Sequence, residues 1–278
     1  MSGKININLY GHKDKTPLIF LHGLNWTHLI WNSVIKHLKD DFFIIAVDLP
    51  GHGNSERLQD YSFNNIARVI NETISDLNLT QKVTIIGSSI GASIALTFAS
   101  MYDIVKTVVL VDGGFFALKE VEGLTWENIE ENSFPNEVLQ NKASFINYMK
   151  SDNPNLWNNN IEKAVLDQIK WSAEHQMYQF KVSEDDQIQY MKDEWNLDVL
   201  TLLKNVQAKI VLLIADNNPE DDFLNSKIDT FQSNYKDSLV YRLRNTDHLI
   251  MLDAEQEFIK IIKDHFQTTP RIYREIKK

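Results

Sequence analysis

The sequence predicts an α/β protein built on a mainly parallel sheet, and three observations carry that expectation. Short apolar runs rich in β-branched residues alternate with helical patterns over most of the 278 residues, the signature of βαβ units. Several runs are apolar on both faces, as befits strands covered by helices on each side. The length allows one large domain carrying an insertion, or two small domains.

In order, the predicted strands lie at 17–21, 42–47, 82–86, 107–111, 209–215 and 238–243. Helices are predicted at 31–39, 63–77, 90–100 and 254–266. The rhythm breaks between 115 and 205, where no β-like run stands out and the pattern is helical with Asn- and Pro-containing breaks. That stretch reads as an inserted helical unit, with 1–114 and 206–278 as the core. Trp126, Trp157, Trp171 and Trp195 fall inside it and bring large apolar surface that must pack against something.

The formal net charge of -10 argues against a nucleic-acid partner, which needs clustered Lys and Arg facing the phosphates. The one basic cluster, 271–278, reads as a solvated end. Residues 1–8 are polar, and no segment approaches the ~20 apolar residues of a membrane span, so a cytoplasmic protein is expected. With no cysteine, thiolate nucleophiles, disulfides and zinc-thiolate sites are excluded. The eight histidines show no metal-binding spacing, so neither a metal nor another cofactor is expected.

The strongest motif is Gly87-Ser88-Ser89-Ile90-Gly91, between the strand at 82–86 and a helix of small residues. A serine on a sharp strand-to-helix turn is exposed for attack, and the helix N-terminus favours developing negative charge. Ser89 is therefore the candidate nucleophile. Acyl transfer also needs two preorganised N–H donors for the oxyanion, one from the residue after the nucleophile and one from a facing loop. Ile90 and Leu24 fit, the latter in Leu21-His22-Gly23-Leu24 at the end of the first strongly apolar strand. His248, in a loop after the strand at 238–243, is the candidate general base, because a serine hydroxyl needs an imidazole to take its proton.

With these motifs in this order, joined by Asp48-Leu49-Pro50-Gly51-His52-Gly53-Asn54-Ser55, the chain resembles the α/β-hydrolase superfamily. The resemblance spans nearly everything outside the insertion, which corresponds to the family's helical cap after its sixth strand. It implies that the Asp48 to Ser55 loop is mostly structural, with no catalytic role for His52. In most relatives the triad acid follows the strand read here as 209–215, but Asp216-Asn217-Asn218-Pro219-Glu220 lacks the usual Gly-x-x-Asp. Some relatives draw it from the preceding strand, where Val111-Asp112-Gly113 offers Asp112. Asp112 is the preferred acid and Asp216 the alternative.

The resulting expectation is a serine hydrolase, carboxylesterase-like, that cleaves an ester or related acyl bond of a small apolar substrate through an acyl-enzyme. The same triad also serves C–C bond hydrolases, peptidases, thioesterases, haloperoxidases and cofactor-free dioxygenases, and the scaffold serves some non-catalytic ligand-binding proteins.

Overall fold

The structure, a computed structural model, describes residues 3–130, 134–152 and 156–266. The basic run at 271–278 lies outside the described residues. In chain order the strands are β1 (Ile7–Tyr10), β2 (Pro17–Leu21), β3 (Phe43–Val47), β4 (Val83–Ser88), β5 (Val105–Val111), β6 (Ile169–Ser172), β7 (Met177–Phe180), β8 (Lys209–Asp216) and β9 (Ser238–Arg244). Seven form one sheet in the order β1-β3-β2-β4-β5-β8-β9, parallel except for β1. The central strands β2, β3 and β4 are buried along their whole length, which is why their sequences are apolar on both faces.

Each face of the sheet carries a core layer. On one side Trp31, Val34, Leu38, Phe258 and Ile262 pack from the helices around 32–38 and 255–266. On the other, Ile66, Ile70, Ile94, Phe98 and Phe231 pack from Phe63–Ser75, Ile90–Met101 and Asp222–Asn234. A side chain of this size contributes about 1.5–3 kcal/mol when fully buried, so these two layers fix the sheet on which the site is built.

Three elements differ from the sequence reading. The polar-looking start contains β1, which pairs antiparallel to β3 at the sheet edge and needs no continuous apolar run because it is only partly buried. Between 115 and 205 a hairpin, β6–β7, interrupts the helices, against the expectation of no strand. Its strands are four residues each and mostly solvent-touched, and its turn uses Gln176 at φ 54° instead of a Gly or Asn signal. The helix Asp222–Asn234 went unmarked because it buries only Ile228 and Phe231; Asp221 caps it by accepting the Leu224 N–H at 2.9 Å.

The segment at 115–205 follows the fifth strand of this chain. It has an apolar cluster of its own around Leu139, Phe145, Ile161, Val165 and Ile169. Trp26, from the loop after β2, and Leu252, on the short helix Ile250–Asp253 after β9, pack against that cluster. Its last helix, Val199–Asn205, buries Val199 and Leu203 in the same layer as Ile94 and Phe98. Among the described residues no helix is long and apolar enough to cross a membrane.

Candidate active site

Parallel strands bring their C-terminal ends to one edge, and here those ends deliver the candidate residues side by side. Ser89 follows β4, with φ 55° and ψ -126°, a conformation that an L-residue adopts only under constraint. The constraint is visible: its N–H donates to the Val111 carbonyl at 2.9 Å, and the helix Ile90–Met101 starts at the next residue. Two glycines let neighbouring chains reach this turn. A Cβ on Gly113 would stand 2.5 Å from the Ser89 carbonyl oxygen, and one on Gly23 would stand 3.3 Å from the Ser89 Cβ.

Asp112, at φ 47° just beyond β5, is held by the adjacent strand. Its N–H donates to the Leu213 carbonyl at 2.8 Å, and its Oδ1 accepts the Ala215 N–H at 2.9 Å. Its Oδ2 accepts from His248 Nδ1 at 2.7 Å. A carboxylate opposite Nδ1 fixes the proton there and leaves Nε2 as the basic nitrogen of the neutral ring. This hydrogen bond is also the largest cause that raises the His248 pKa above 6.5; burial opposes it. The His248 side chain keeps 55% of its surface exposed.

Asp216, the alternative acid, faces elsewhere. It is buried and takes Arg242 Nε and Nη2 on its two oxygens at 3.1 and 3.2 Å. In the following loop Asn217 is hydrogen-bonded to Asp247. Thus Asp112, not Asp216, is the carboxylate on His248.

Of the two expected oxyanion donors, Ile90 is the first helical residue, whose N–H has no intrahelical acceptor. Leu24 sits in the turn between Gly23 and Asn25, the latter at φ 65°. Buried histidines brace that turn. His52 Nε2 accepts the Asn25 N–H at 3.1 Å while its Nδ1 donates to the Pro50 carbonyl at 2.9 Å. His22 Nε2 accepts the Leu49 N–H at 2.9 Å. Burial lowers their pKa values, to about 3 for His52 and about 4 for His22, so both stay neutral and keep an acceptor lone pair. Asp48 collects the Asn6 amide, the Asn54 N–H and both His28 N–H groups; burial raises its pKa, yet the His28 hydrogen bond and its neighbours hold it well below the usual carboxylate range.

One polar group near the site escaped the sequence reading. Glu194, on the helix Glu184–Trp195, is 7% exposed and accepts the Ser93 hydroxyl on Oε1 at 2.9 Å. Burial raises its carboxyl to about 7. The available signal was its spacing from Asp186 and Tyr190, four residues apart each, which puts all three on one side of the helix. The tryptophans of 115–205 mostly pair among themselves and with neighbours: Trp126 with Trp195, and Trp171 with Tyr178.

Comparison with known proteins agrees with this fold. A family model described as alpha/beta hydrolase fold matches residues 16–255. A pimeloyl-[acyl-carrier protein] methyl ester esterase of Wigglesworthia glossinidia brevipalpis is 29% identical over 134 residues, 48% of this chain and 49% of that protein. A 2-(acetamidomethylene)succinate hydrolase of Mesorhizobium japonicum is 31% identical over 112 residues, 40% of each chain. These matches span less than half the length of the curated relatives. The crystal structure of an E-2-(acetamidomethylene)succinate hydrolase superposes with a TM-score of 0.80 at 20% identity, over 94% of each chain, a likeness of fold.

Proposed function

We propose, from the premise that the chain belongs to the alpha/beta-hydrolase family, that it is a serine hydrolase cleaving an ester or related acyl bond of a small, mainly apolar substrate. The observation that carries this reading is the 2.7 Å hydrogen bond from His248 Nδ1 to Asp112, beside a serine held at positive φ on a strand-to-helix turn. Such an imidazole has its basic nitrogen free for a hydroxyl proton, which is what serine needs to become a nucleophile.

In the proposed reaction His248 Nε2 takes the Ser89 Oγ proton as Oγ bonds to the carbonyl carbon. The electron pair of the C=O moves to oxygen, and the Leu24 and Ile90 N–H groups bind that oxyanion. Collapse re-forms the carbonyl and breaks the bond to the leaving group, which receives the proton from His248. Water, deprotonated by His248, then bonds to the acyl carbon, and collapse breaks the bond to Ser89 Oγ, which takes the proton from His248 as the acid leaves. Asp112 keeps the ring in the required tautomer throughout and stabilises its charged form. The unit at 115–205 acts as a cap, a role supported by the packing of Trp26 and Leu252, neighbours of the oxyanion loop and of His248, against its apolar cluster. A cytoplasmic location belongs to the same reading, and cell fractionation tests it.

A fluorophosphonate probe followed by peptide mapping tests the assignment. Ser89 should carry the label, and Ser89→Ala should lose both labelling and p-nitrophenyl ester turnover, while Ser88→Ala keeps most of both. Labelling that persists in Ser89→Ala and disappears in Ser88→Ala refutes the register of the turn.

A further inference from the structure

The side that the helix Glu184–Trp195 turns inward is polar, and its groups are satisfied one by one until the last. Asp186, Tyr190 and Glu194 are its buried residues. Asp186 accepts Arg57 Nε and Nη2 at 2.6 and 2.9 Å. Tyr190 donates to the Pro50 carbonyl at 2.9 Å, with its ring edge-on to His52, the residue that receives the Asn25 N–H. Glu194 bonds to Ser93, four residues and about 6 Å of helix rise beyond Ser89. The row therefore runs from the loop that holds Leu24 to the helix that Ser89 opens.

Glu194 is the incomplete member. Its Oε1 is fixed by the Ser93 hydroxyl, but Oε2 is buried with no hydrogen-bond partner among the described residues. A buried carboxylate oxygen is costly to leave unpaired, and one fixed in advance is ready for a donor that arrives with a ligand. Its neighbour Asp193 is turned away and accepts the Phe63 N–H at 2.7 Å.

We propose that Glu194 is a specificity-determining residue whose Oε2 accepts a hydrogen bond from a hydroxyl or ammonium group on the acyl part of the substrate, close to the scissile carbonyl. The inference rests on the serine-hydrolase reading for the position of that carbonyl. An acyl chain without such a donor leaves Oε2 unpaired, and sites built on a buried polar group reject such analogues more strongly than apolar pockets reject a missing methylene.

The test has two readouts. In the first, kcat/KM is measured at pH ~8.5, above the carboxyl's value of about 7, on p-nitrophenyl esters of butyrate, 2-hydroxybutyrate, 3-hydroxybutyrate and 3-aminobutyrate. After correction for intrinsic reactivity, at least one substituted ester should exceed butyrate by roughly tenfold or more, the scale of a hydrogen bond to a charged group. Glu194→Gln and Glu194→Leu should each bring that ratio to about 1. In the second, calorimetry compares binding of the matching anilides to Ser89→Ala with and without Glu194→Gln, and the same preference should appear and disappear. A substituted and a parent compound treated alike in both readouts, or a preference that survives both substitutions, overturns the proposal. Binding preference without ester turnover in the wild type overturns the hydrolase reading and leaves Glu194 as a ligand-recognition group. If Glu194→Leu does not fold, Glu194→Gln decides, since it keeps the size and the bond from Ser93.

Discussion

Replacing Glu194 by Gln should stabilise the protein at alkaline pH and leave it unchanged at acid pH. Burial is the largest cause that raises this carboxyl from 4.5 to about 7; the charge of Asp193 adds to it, and the Ser93 hydroxyl and His248 oppose it. In the unfolded chain the group ionises near 4.5, so between 4.5 and about 7 the unfolded state holds fewer protons and folding stability falls as pH rises. Above about 7 both states are ionised and the loss levels off, at roughly 3 kcal/mol for about 1.36 kcal/mol per pH unit. Glutamine cannot ionise, keeps an oxygen for the Ser93 hydroxyl, and avoids the loss. Melting curves of the two proteins should coincide near pH 4.5 and separate by roughly 5 to 10 °C above pH 7. Other titrating groups are common to both proteins and cancel in the difference. A gap that does not change with pH, or a glutamate form that is the more stable one in alkali, refutes the reasoning.

Asp112→Asn should lower kcat by roughly 10³- to 10⁴-fold, as expected when the base is held in the wrong tautomer, and Asp216→Asn should cost far less because its carboxylate serves Arg242; the reverse ranking in ester assays moves the acid to the later loop. Since attack needs neutral His248, kcat/KM should rise with pH through a midpoint above 6.5, and Asp112→Asn, which removes the largest raising cause, should move that midpoint down. Acetate, butyrate, hexanoate and octanoate esters of one alcohol should gain roughly a decade in kcat/KM for each two or three carbons until the pocket is full, at ~0.8 kcal/mol per methylene; a flat series or a preference for acetate removes the apolar acyl site.

The fold was largely legible because its central strands are apolar on both faces and its turns carry glycine at recognisable places. The strand β4, the Ser89 turn and the helix of small residues after it form one continuous local signal, and they lie inside the family match over 16–255. Asp112 was harder to single out. A lone aspartate after a strand looks like a turn residue, and what distinguishes it is the pairing of β5 with β8, which brings the Ala215 N–H to one of its oxygens while the other meets His248. Glu194 was hard to read for a physical reason: the helix that carries it turns Asp186, Tyr190 and Glu194 inward, so a search for apolar periodicity passes over that side and only the four-residue spacing marks it. The hairpin β6–β7 was missed in the same way, being short, largely wet and closed by a turn with no glycine.

The positive φ at Ser89 sets evolvability against heat resistance. Ser89 sits where glycine would fold with less strain, a difference on the order of 1–3 kcal/mol. A mutant library screened for survival at high temperature alone should accumulate glycine at 89 and lose turnover as it gains melting temperature, so directed evolution of this chain has to select for stability and activity together.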